Sequence, residues 1–149
     1  MGKTAIPSQP EFLIQLRQTQ HAVRTRLDTD LVATGLTMPQ LTVLAALERE
    51  GPLSASDLAR EFGMTAQTVN VLVKALESSR LVRRSRHPAH GRILLASLTP
   101  AGKRALEQGR AVGLEVEDRL LSSLSAADRR LLLRLLKAIE TASAPARDS

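Results

Sequence analysis

The near absence of aromatic side chains is the feature that most limits how this chain can fold. Of its 149 residues only Phe12 and Phe62 are aromatic, whereas 26 are leucine. Two phenyl rings cannot fill the interior of a domain of this size, so the core must be built from aliphatic side chains packed on helices. The length suits a single domain, for which roughly 100 to 200 residues is usual.

Composition also excludes several classes of protein. The chain has no cysteine, which rules out disulfide scaffolds, thiolate metal sites and cysteine nucleophiles. Its longest unbroken apolar run covers residues 43–47, far short of the roughly 20 residues that a membrane-spanning helix needs, and the N-terminus lacks a hydrophobic signal core. We therefore expect a soluble, cytoplasmic protein without a membrane partner.

Motifs of catalysis are missing from the sequence. It contains no nucleophile elbow, no phosphate-binding loop and no glycine-rich dinucleotide fingerprint. Glu115, Glu117 and Asp118 form an acidic cluster, which on an amphipathic helix is more often a solvated face than an acid-base pair. His87 and His90 have H-x-x-H spacing, yet no third ligand lies near them in sequence. We predict no catalytic residue, no cofactor and no metal site.

The N-terminal part of the chain is predicted to form two helices. Apolar residues at three-, four- and seven-residue spacings indicate a first helix from about residue 10 to residue 33, ended by Gly35. Thr37 and Gln40 form a capping box that opens a second helix. This helix ends before Gly51.

The next stretch predicts a helix, a tight glycine turn and a second helix. Ser54 and Asp57 form the capping signal of a short helix, which Gly63 closes. Thr65 caps the following helix, whose core-facing residues are predicted to be Val69, Leu72, Val73 and Leu76.

The opposite face of that second helix carries small and amide side chains. Such side chains near the start of an exposed helix suit contacts to base edges in a DNA major groove, where glutamine or asparagine can pair with adenine. Taken alone, the same pattern is more often an ordinary polar surface. The residues of this face are Ala66, Gln67, Asn70, Val71 and Lys74.

Two short segments of strand character follow, at residues 81–86 and 92–98. In the second segment Arg92, Leu94, Ala96 and Leu98 alternate with the residues of the other face. A β-hairpin with an arginine at its tip, directly after a helix-turn-helix, is a wing. The predicted fold class is therefore mainly α, with a small β-hairpin wing.

The last third of the chain is predicted to form two leucine-rich helices. Thr99 and Pro100 start the first of them, and Ser125 caps the second. With the first helix of the chain they carry more apolar surface than one small winged unit can cover, so self-association is the simplest way to bury it. Residues 1–9 and 143–149 are expected to be flexible polar tails.

The net charge of +6 comes from one part of the sequence. Residues 78–106 contain seven bases and no acid, whereas the segments before and after them are almost neutral. A basic run is often only a solvated face. Here the acids disappear completely from a chain that is otherwise rich in them, which favours a polyanionic partner.

As a set, these motifs resemble the MarR (multiple antibiotic resistance regulator) family of bacterial transcription regulators. The resemblance covers residues 37–106 by motif and nearly the whole chain by helix order. Its most specific part is Leu98-Thr99-x-x-Gly102 after the wing arginine Arg92. The other matching stretches are Leu36-Thr37-x-x-Gln40, Ser54-x-Ser56-Asp57-Leu58-Ala59, Thr65-x-x-Thr68-Val69, Leu72-Val73-x-x-Leu76-Glu77 and Leu81-Val82-x-Arg84.

The resemblance implies a homodimer in which helices of residues 10–36 and 100–142 interlock, with residues 37–99 forming the winged helix-turn-helix unit. Such a dimer binds a pseudo-palindromic operator in double-stranded DNA. A small-molecule effector, often an aromatic acid or a phenol, binds in the crevice between the dimer and DNA parts. The expected function is a repressor released by such a ligand. The alternative is a winged-helix module that binds a protein and not DNA.

The resemblance also assigns DNA contacts residue by residue. Arg92 falls on the wing arginine that enters the minor groove. Ser54 and Thr65 lie at helix starts, where free backbone N–H groups can receive phosphates. The remaining expected contacts are the major-groove positions Gln67, Thr68, Asn70, Val71 and Lys74 and the wing residues Arg84, Arg86 and His90.

Four positions depart from the family pattern. His87 and His90 stand where the wing usually has aspartates, so the carboxylate that would orient Arg92 is missing, and the wing gains positive charge if either histidine is protonated. Val71 replaces a residue that is often basic. Arg80 stands where the helix usually ends in glycine, which costs about 1 kcal/mol if the backbone there is left-handed.

An effector pocket in this chain would have to be aliphatic, because the sequence has neither tryptophan nor tyrosine. Met38 or Phe12 would add polarizable contact, and Arg17, His21 or Arg24 would anchor an anion. We predict these five residues as the ligand-binding set.

Overall fold

The computed structural model describes residues 10–143. A short 3-10 helix, Val32–Thr34, follows the first α-helix. The strands are β1 (Leu53–Ser54), β2 (Val82–Arg86) and β3 (Leu94–Leu98). The α-helices are α1 (Glu11–Leu31), α2 (Met38–Glu50), α3 (Ala55–Phe62), α4 (Ala66–Ser78), α5 (Pro100–Leu120) and α6 (Ala126–Ser143).

The helices begin and end where the capping residues predict. Gly35 and Gly63 close their helices in the left-handed conformation, with φ angles of 70° and 62°. At five helix starts the side-chain oxygen accepts a hydrogen bond from the backbone N–H three residues later, which satisfies a donor that the helix leaves free. These residues are Thr37, Ser54, Thr65, Thr99 and Ser125.

The predicted tails lie almost wholly outside the described residues. Residues 1–9 and 144–149 of these tails are outside the described range. Ser143, which was expected to begin the C-terminal tail, is instead the last residue of α6. Its hydroxyl donates to the backbone carbonyl of Ile139 at 2.8 Å, a hydrogen bond that serine makes inside a helix.

The sheet confirms the predicted hairpin and adds a strand to it. Its order is β1-β3-β2, with both neighbouring pairs antiparallel. β1 pairs Leu53 with Ala96, and two residues are too short to show strand periodicity in a sequence. β3 begins at Leu94, so Arg92 and Ile93, expected in the strand, precede it. The reason is a turn closed by the N–H of Ile93, which donates to the carbonyl of His90 at 2.8 Å.

The chain divides into two units, the first running to Gly113 and the second from Leu114. The first unit has the aliphatic core that the composition predicts. Phe62 only packs against this core and Phe12 is 52% exposed, so neither aromatic side chain is central to it. The fully buried core side chains include Val43, Leu44, Leu58, Val69, Leu76 and Leu106.

The second unit contains the end of α5 and all of α6. Arg129 and Asp118 form an ion pair within it at 3.4 Å. No residue of α6 is buried, and its exposed leucines are Leu131, Leu133, Leu135 and Leu136.

Among the described residues, no single helix is long and apolar enough to cross a membrane. Residues Glu11–Thr34 and Met38–Glu50 reach the required length and composition only when taken together, and they bend by 74° at the break between them.

A left-handed turn at Arg80 ends α4 and starts the wing. The N–H of Leu81 donates to the carbonyl of Leu76 and that of Arg80 donates to the carbonyl of Glu77, both at 2.9 Å, which is the Schellman pattern. Arg80 has a φ of 59° and is the one non-glycine residue with positive φ in residues 10–143. The condition stated for Arg80 is therefore met, because its backbone is left-handed, and the arginine side chain strains the cap by about 1 kcal/mol relative to glycine.

The same turn is hydrogen-bonded to Thr99, the residue that caps α5. The N–H of Thr99 donates to the carbonyl of Leu81 at 3.1 Å, and its hydroxyl donates to the carbonyl of Arg80 at 2.8 Å. That hydroxyl also accepts from the N–H of Gly102 at 3.0 Å. A β-carbon on Gly102 would lie well inside the contact distance of the Leu81 carbonyl oxygen. We call residues 76–81 with Thr99 and Gly102 the α4–α5 junction.

We predict that Gly102→Ala lowers the free energy of unfolding by about 1 to 3 kcal/mol, the usual cost of forcing a methyl group into a packed interior. The obstacle is a backbone carbonyl, which cannot rotate away as a side chain can. Urea unfolding followed by circular dichroism measures the change.

Gly113→Ala is the matched control in the same helix, because a β-carbon there meets nothing within 4 Å. It should raise stability by about 0.5 to 1 kcal/mol through helix propensity. Equal stability of the Gly102→Ala variant and the wild type would show that the junction is not closely packed.

Candidate nucleic-acid interface

Helix α4 has one buried side and one exposed side. Val69, Val73 and Leu76 are buried against the core, at spacings that fix which face of the helix is turned to solvent. The five predicted major-groove residues are all exposed, and we call them the α4 face: Gln67, Thr68, Asn70, Val71 and Lys74.

The two predicted helix-start residues differ in what they can offer to a ligand. Thr65 is exposed, and its hydroxyl lies 2.9 Å from that of Thr68. Ser54 is only 9% exposed, and both its N–H and its hydroxyl donate to Asp57. These hydrogen bonds lower the pKa of the Asp57 carboxyl, the hydroxyl contributing most. The side chain of Ser54 is thus occupied in starting α3.

The turn between β2 and β3 is organised by a histidine. The Nδ1 atom of His87 accepts hydrogen bonds from the N–H groups of Ala89 and His90, at 3.1 and 3.2 Å. The two imidazole rings have their centroids 5.1 Å apart. Across residues 10–143 no group of three or more histidine or acidic side chains is placed to hold a metal ion.

Basic side chains of the wing and its flanks are turned to solvent. Within the described part of the chain, Lys74, Arg86 and Arg92 make neither an ion pair nor a side-chain hydrogen bond, so their charges are free to meet an anion. The exposed bases of residues 78–106 are Arg80, Arg83, Arg86, Arg92, Lys103 and Arg104.

Arg84 has a partner inside the protein. Its Nε atom donates to Oε2 of Glu77 at 2.8 Å, and a second nitrogen of the guanidinium reaches the same oxygen. The pair joins β2 to the last turn of α4, and Arg84 lowers the pKa of the Glu77 carboxyl, chiefly through this hydrogen bond. Sequence reasoning missed the pairing of Arg84 with Glu77, because a charge pair that spans a helix end and a strand follows no helical spacing.

Two separate cavities receive members of the predicted ligand-binding set. Arg24 and Met38 line a cavity of 520 Å³ between α1 and α2, with apolar walls from Leu16, Val23, Leu27 and Met64. Phe12 lines a different one of 480 Å³, with Glu11, Ile14 and Gln15. Arg17 and His21 line neither. The structure brings together only two of the five predicted residues, Arg24 and Met38. We call the 520 Å³ cavity that they line the α1–α2 cavity.

The fold and the basic wing define a winged helix-turn-helix protein, in which α3 and α4 are the two helices and the β2–β3 hairpin is the wing. The MarR family model matches residues 34–93. The HTH-type transcriptional repressor Rv2887 of Mycobacterium tuberculosis is 31% identical over 115 residues, which are 77% of this chain and 83% of that protein. The chain therefore belongs to the MarR family.

Solved structures agree with this assignment. A probable transcriptional regulator from Pseudomonas aeruginosa is 33% identical, with a TM-score of 0.77 over 89% of this chain and 97% of its own. The Mycobacterium tuberculosis MarR family protein Rv2887, solved in complex with salicylic acid, is 29% identical, with a TM-score of 0.70 over 91% of this chain and 98% of its own. These relatives are transcriptional regulators.

We predict that Glu77→Gln destabilises the protein at pH 7 and that its difference from the wild type fades in acid. Because the folded-state pKa of Glu77 lies below its ordinary value of 4.5, the ionised pair stabilises the fold above that value. This contribution is lost as pH falls through the lowered pKa. Urea unfolding of both proteins between pH 7 and pH 3 measures it.

Glu107→Gln is the control for this experiment, because Glu107 is exposed and has no ion pair in the described residues. Its stability should differ little from that of the wild type at either pH. A Glu77→Gln deficit of the same size at pH 7 and pH 3 would mean that the carboxylate charge does not hold β2 to α4.

Proposed function

We propose that this chain is a homodimeric repressor that binds a specific operator in double-stranded DNA and is released by a small molecule. The observation that carries the proposal is the position of the free positive charge. The unpaired Lys74 lies on the α4 face, and the unpaired Arg86 and Arg92 lie on the wing that follows α4. A polyanion with grooves is the partner that matches such a surface.

In this proposal the α4 face enters the major groove and the wing reaches the adjacent minor groove. Gln67 and Asn70 can form paired hydrogen bonds with adenine, and Arg92 suits the narrow, electronegative minor groove of A·T-rich DNA. Thr65 and the first N–H groups of α4 are placed to receive a backbone phosphate. Arg84 contributes by holding β2 to α4 through Glu77, so its loss would move the wing.

The dimer is proposed from helices that have exposed apolar side chains. Phe12, Leu13 and Leu16 on α1 are 52%, 59% and 41% exposed, and α6 exposes four leucines. So much exposed apolar surface is unusual for a protein that remains a monomer. The exposed apolar side chains of residues 10–36 and 100–142 would be covered by a second copy, as the family implies, and two α4 faces would then read two half-sites.

The effector is proposed to be an aromatic carboxylate that binds in the α1–α2 cavity. Leu16, Val23 and Leu27 offer an apolar wall for a ring, and the Arg24 guanidinium can bind a carboxylate. Arg24 is exposed and reaches Asp28 only at 3.6 Å, so a ligand can compete for it. The relative that was solved with salicylic acid supports this chemical class.

We predict that the affinity for the operator falls steeply with salt. If about four bases of each protomer meet phosphates, the logarithm of the binding constant falls with the logarithm of the salt concentration with a slope near −7. Arg92→Ala in both protomers should make the slope shallower by about 2. Fluorescence anisotropy with a labelled duplex, from about 50 to 300 mM salt, measures both slopes.

Lys137→Ala removes the same charge from α6, outside the basic segment, and should leave the slope unchanged. Binding that does not depend on salt, or the absence of binding to any duplex, would support the winged-helix module that contacts a protein.

We predict that salicylate releases the wild-type protein from its operator and that Arg24→Ala needs at least about ten-fold more ligand. Losing a charge-assisted hydrogen bond to a carboxylate has roughly this effect. A ligand titration of the preformed DNA complex, run with a series of phenols and aromatic carboxylates, measures it.

Arg26→Ala is the matched variant, since Arg26 lies on the same helix, pairs with Asp30 and does not line the α1–α2 cavity. It should respond to salicylate as the wild type does. If no aromatic acid in the series dissociates the wild-type complex, the effector part of the proposal fails and the DNA-binding part stands.

A further inference from the structure

One apolar side chain lies on the polar α4 face. Val71 is 65% exposed. The other exposed large apolar side chains of residues 37–99 are Ile93 and Leu94. Both are less exposed than Val71, and both follow the wing turn. The remaining exposed large apolar residues of the described chain lie on α1, the short 3-10 helix, α5 and α6, where a second copy of the chain is proposed to cover them.

The position of Val71 on the helix aims it directly away from the core. It lies midway between the buried Val69 and Val73, and two residues along an α-helix is more than half a turn. Its neighbours one helical turn away on the same face are Gln67 and Lys74. A groove-bound helix that presents Gln67 to a base edge therefore presents Val71 to the same groove.

An exposed valine at this position gains little in the free protein. A β-branched side chain forms helix less readily than alanine does, and it buries no surface while it faces water. Single exposed apolar residues are common on protein surfaces, so exposure alone decides nothing. What separates Val71 from them is that its neighbours on the face are amides and a lysine, the side chains that read bases and phosphates.

The DNA major groove offers one apolar group on its base edges, the 5-methyl group of thymine. We propose that Val71 packs against a thymine methyl group and so selects an A·T pair at one position of each half-site. The proposal rests on the DNA-binding function proposed above. Gln67 and Asn70 favour the adenine of an A·T pair, and Val71 would favour the thymine. All three side chains therefore select the same kind of base pair.

The test replaces single thymines of the operator by deoxyuridine, which removes only the 5-methyl group and keeps the base pair and its hydrogen bonds. An operator is first selected from random duplexes with the full-length wild-type protein. Each thymine is then replaced in both half-sites together, and affinities are measured for the wild type, Val71→Ala and Val71→Ile.

Replacement at one thymine position should lower the affinity of the wild-type protein about three- to five-fold per half-site. This is the effect expected for losing the burial of roughly one methyl group. In Val71→Ala the same replacement should change affinity by less than two-fold, because the contact is already absent. Val71→Ile keeps an apolar side chain at the site and should retain the wild-type sensitivity. Alanine is the better helix former, so a folding defect of the Val71→Ala variant is not expected.

The proposal is overturned if each deoxyuridine replacement lowers the affinity of Val71→Ala as much as that of the wild type. It is also overturned if no replacement lowers the affinity of the wild type. In either case the duplex is still bound, so the proposed DNA-binding function survives. If the wild type selects no duplex at all, it is that function which fails, and the role of Val71 fails with it.

Discussion

The arrangement of α4, the wing and α5 depends on the backbone carbonyls of Arg80 and Leu81. The Schellman turn that ends α4 points these carbonyls at Thr99, and Thr99 binds both of them while it caps α5. Three elements therefore meet within a few residues: the end of α4, the start of β2 and the start of α5. Because each contact is a backbone hydrogen bond or a cap, a shift of one element breaks bonds of the other two.

This junction explains two features that would otherwise weaken the fold. Arg80 is held in a left-handed conformation by the two hydrogen bonds of the Schellman turn and by the Thr99 hydroxyl, which donates to its carbonyl. Gly102 provides the space in which the first turn of α5 approaches the Leu81 carbonyl. The ion pair of Arg84 with Glu77 is a second tie between α4 and β2. The orientation of the wing relative to the α4 face is thus set by hydrogen bonds at one end of α4.

Features that depend on neighbouring residues could be predicted from the sequence. The caps at Thr37 and Thr65 and the left-handed Gly63 follow from local chemistry, and the aliphatic core follows from composition. Contacts between distant segments could not be predicted, because no local signal marks them. β1 exists only through its pairing with β3.

The same limit applies to the candidate site. The exposure of the α4 face was predictable from helical spacing, since the buried residues alternate with it at regular intervals. The commitment of Arg84 to Glu77 and the burial of the Ser54 side chain against Asp57 required the folded chain. Arg17 and His21 were chosen for their charge and their place on α1, but they do not line the cavity that Arg24 lines. The lining residues of α1 are those that face α2 and Met64, and this requires the folded chain.

Hydroxyl-radical footprinting on the selected operator shows whether α4 and the wing bind DNA together, because it reports which deoxyriboses the protein covers along each strand. We expect two related patches of protection whose centres lie about 10 base pairs apart, one for each α4 face of a dimer. Protection in the flanking minor groove should accompany each patch and should be lost in Arg92→Ala. A single patch, or protection that Arg92→Ala leaves intact, would contradict a dimer that reads DNA with α4 and the wing together.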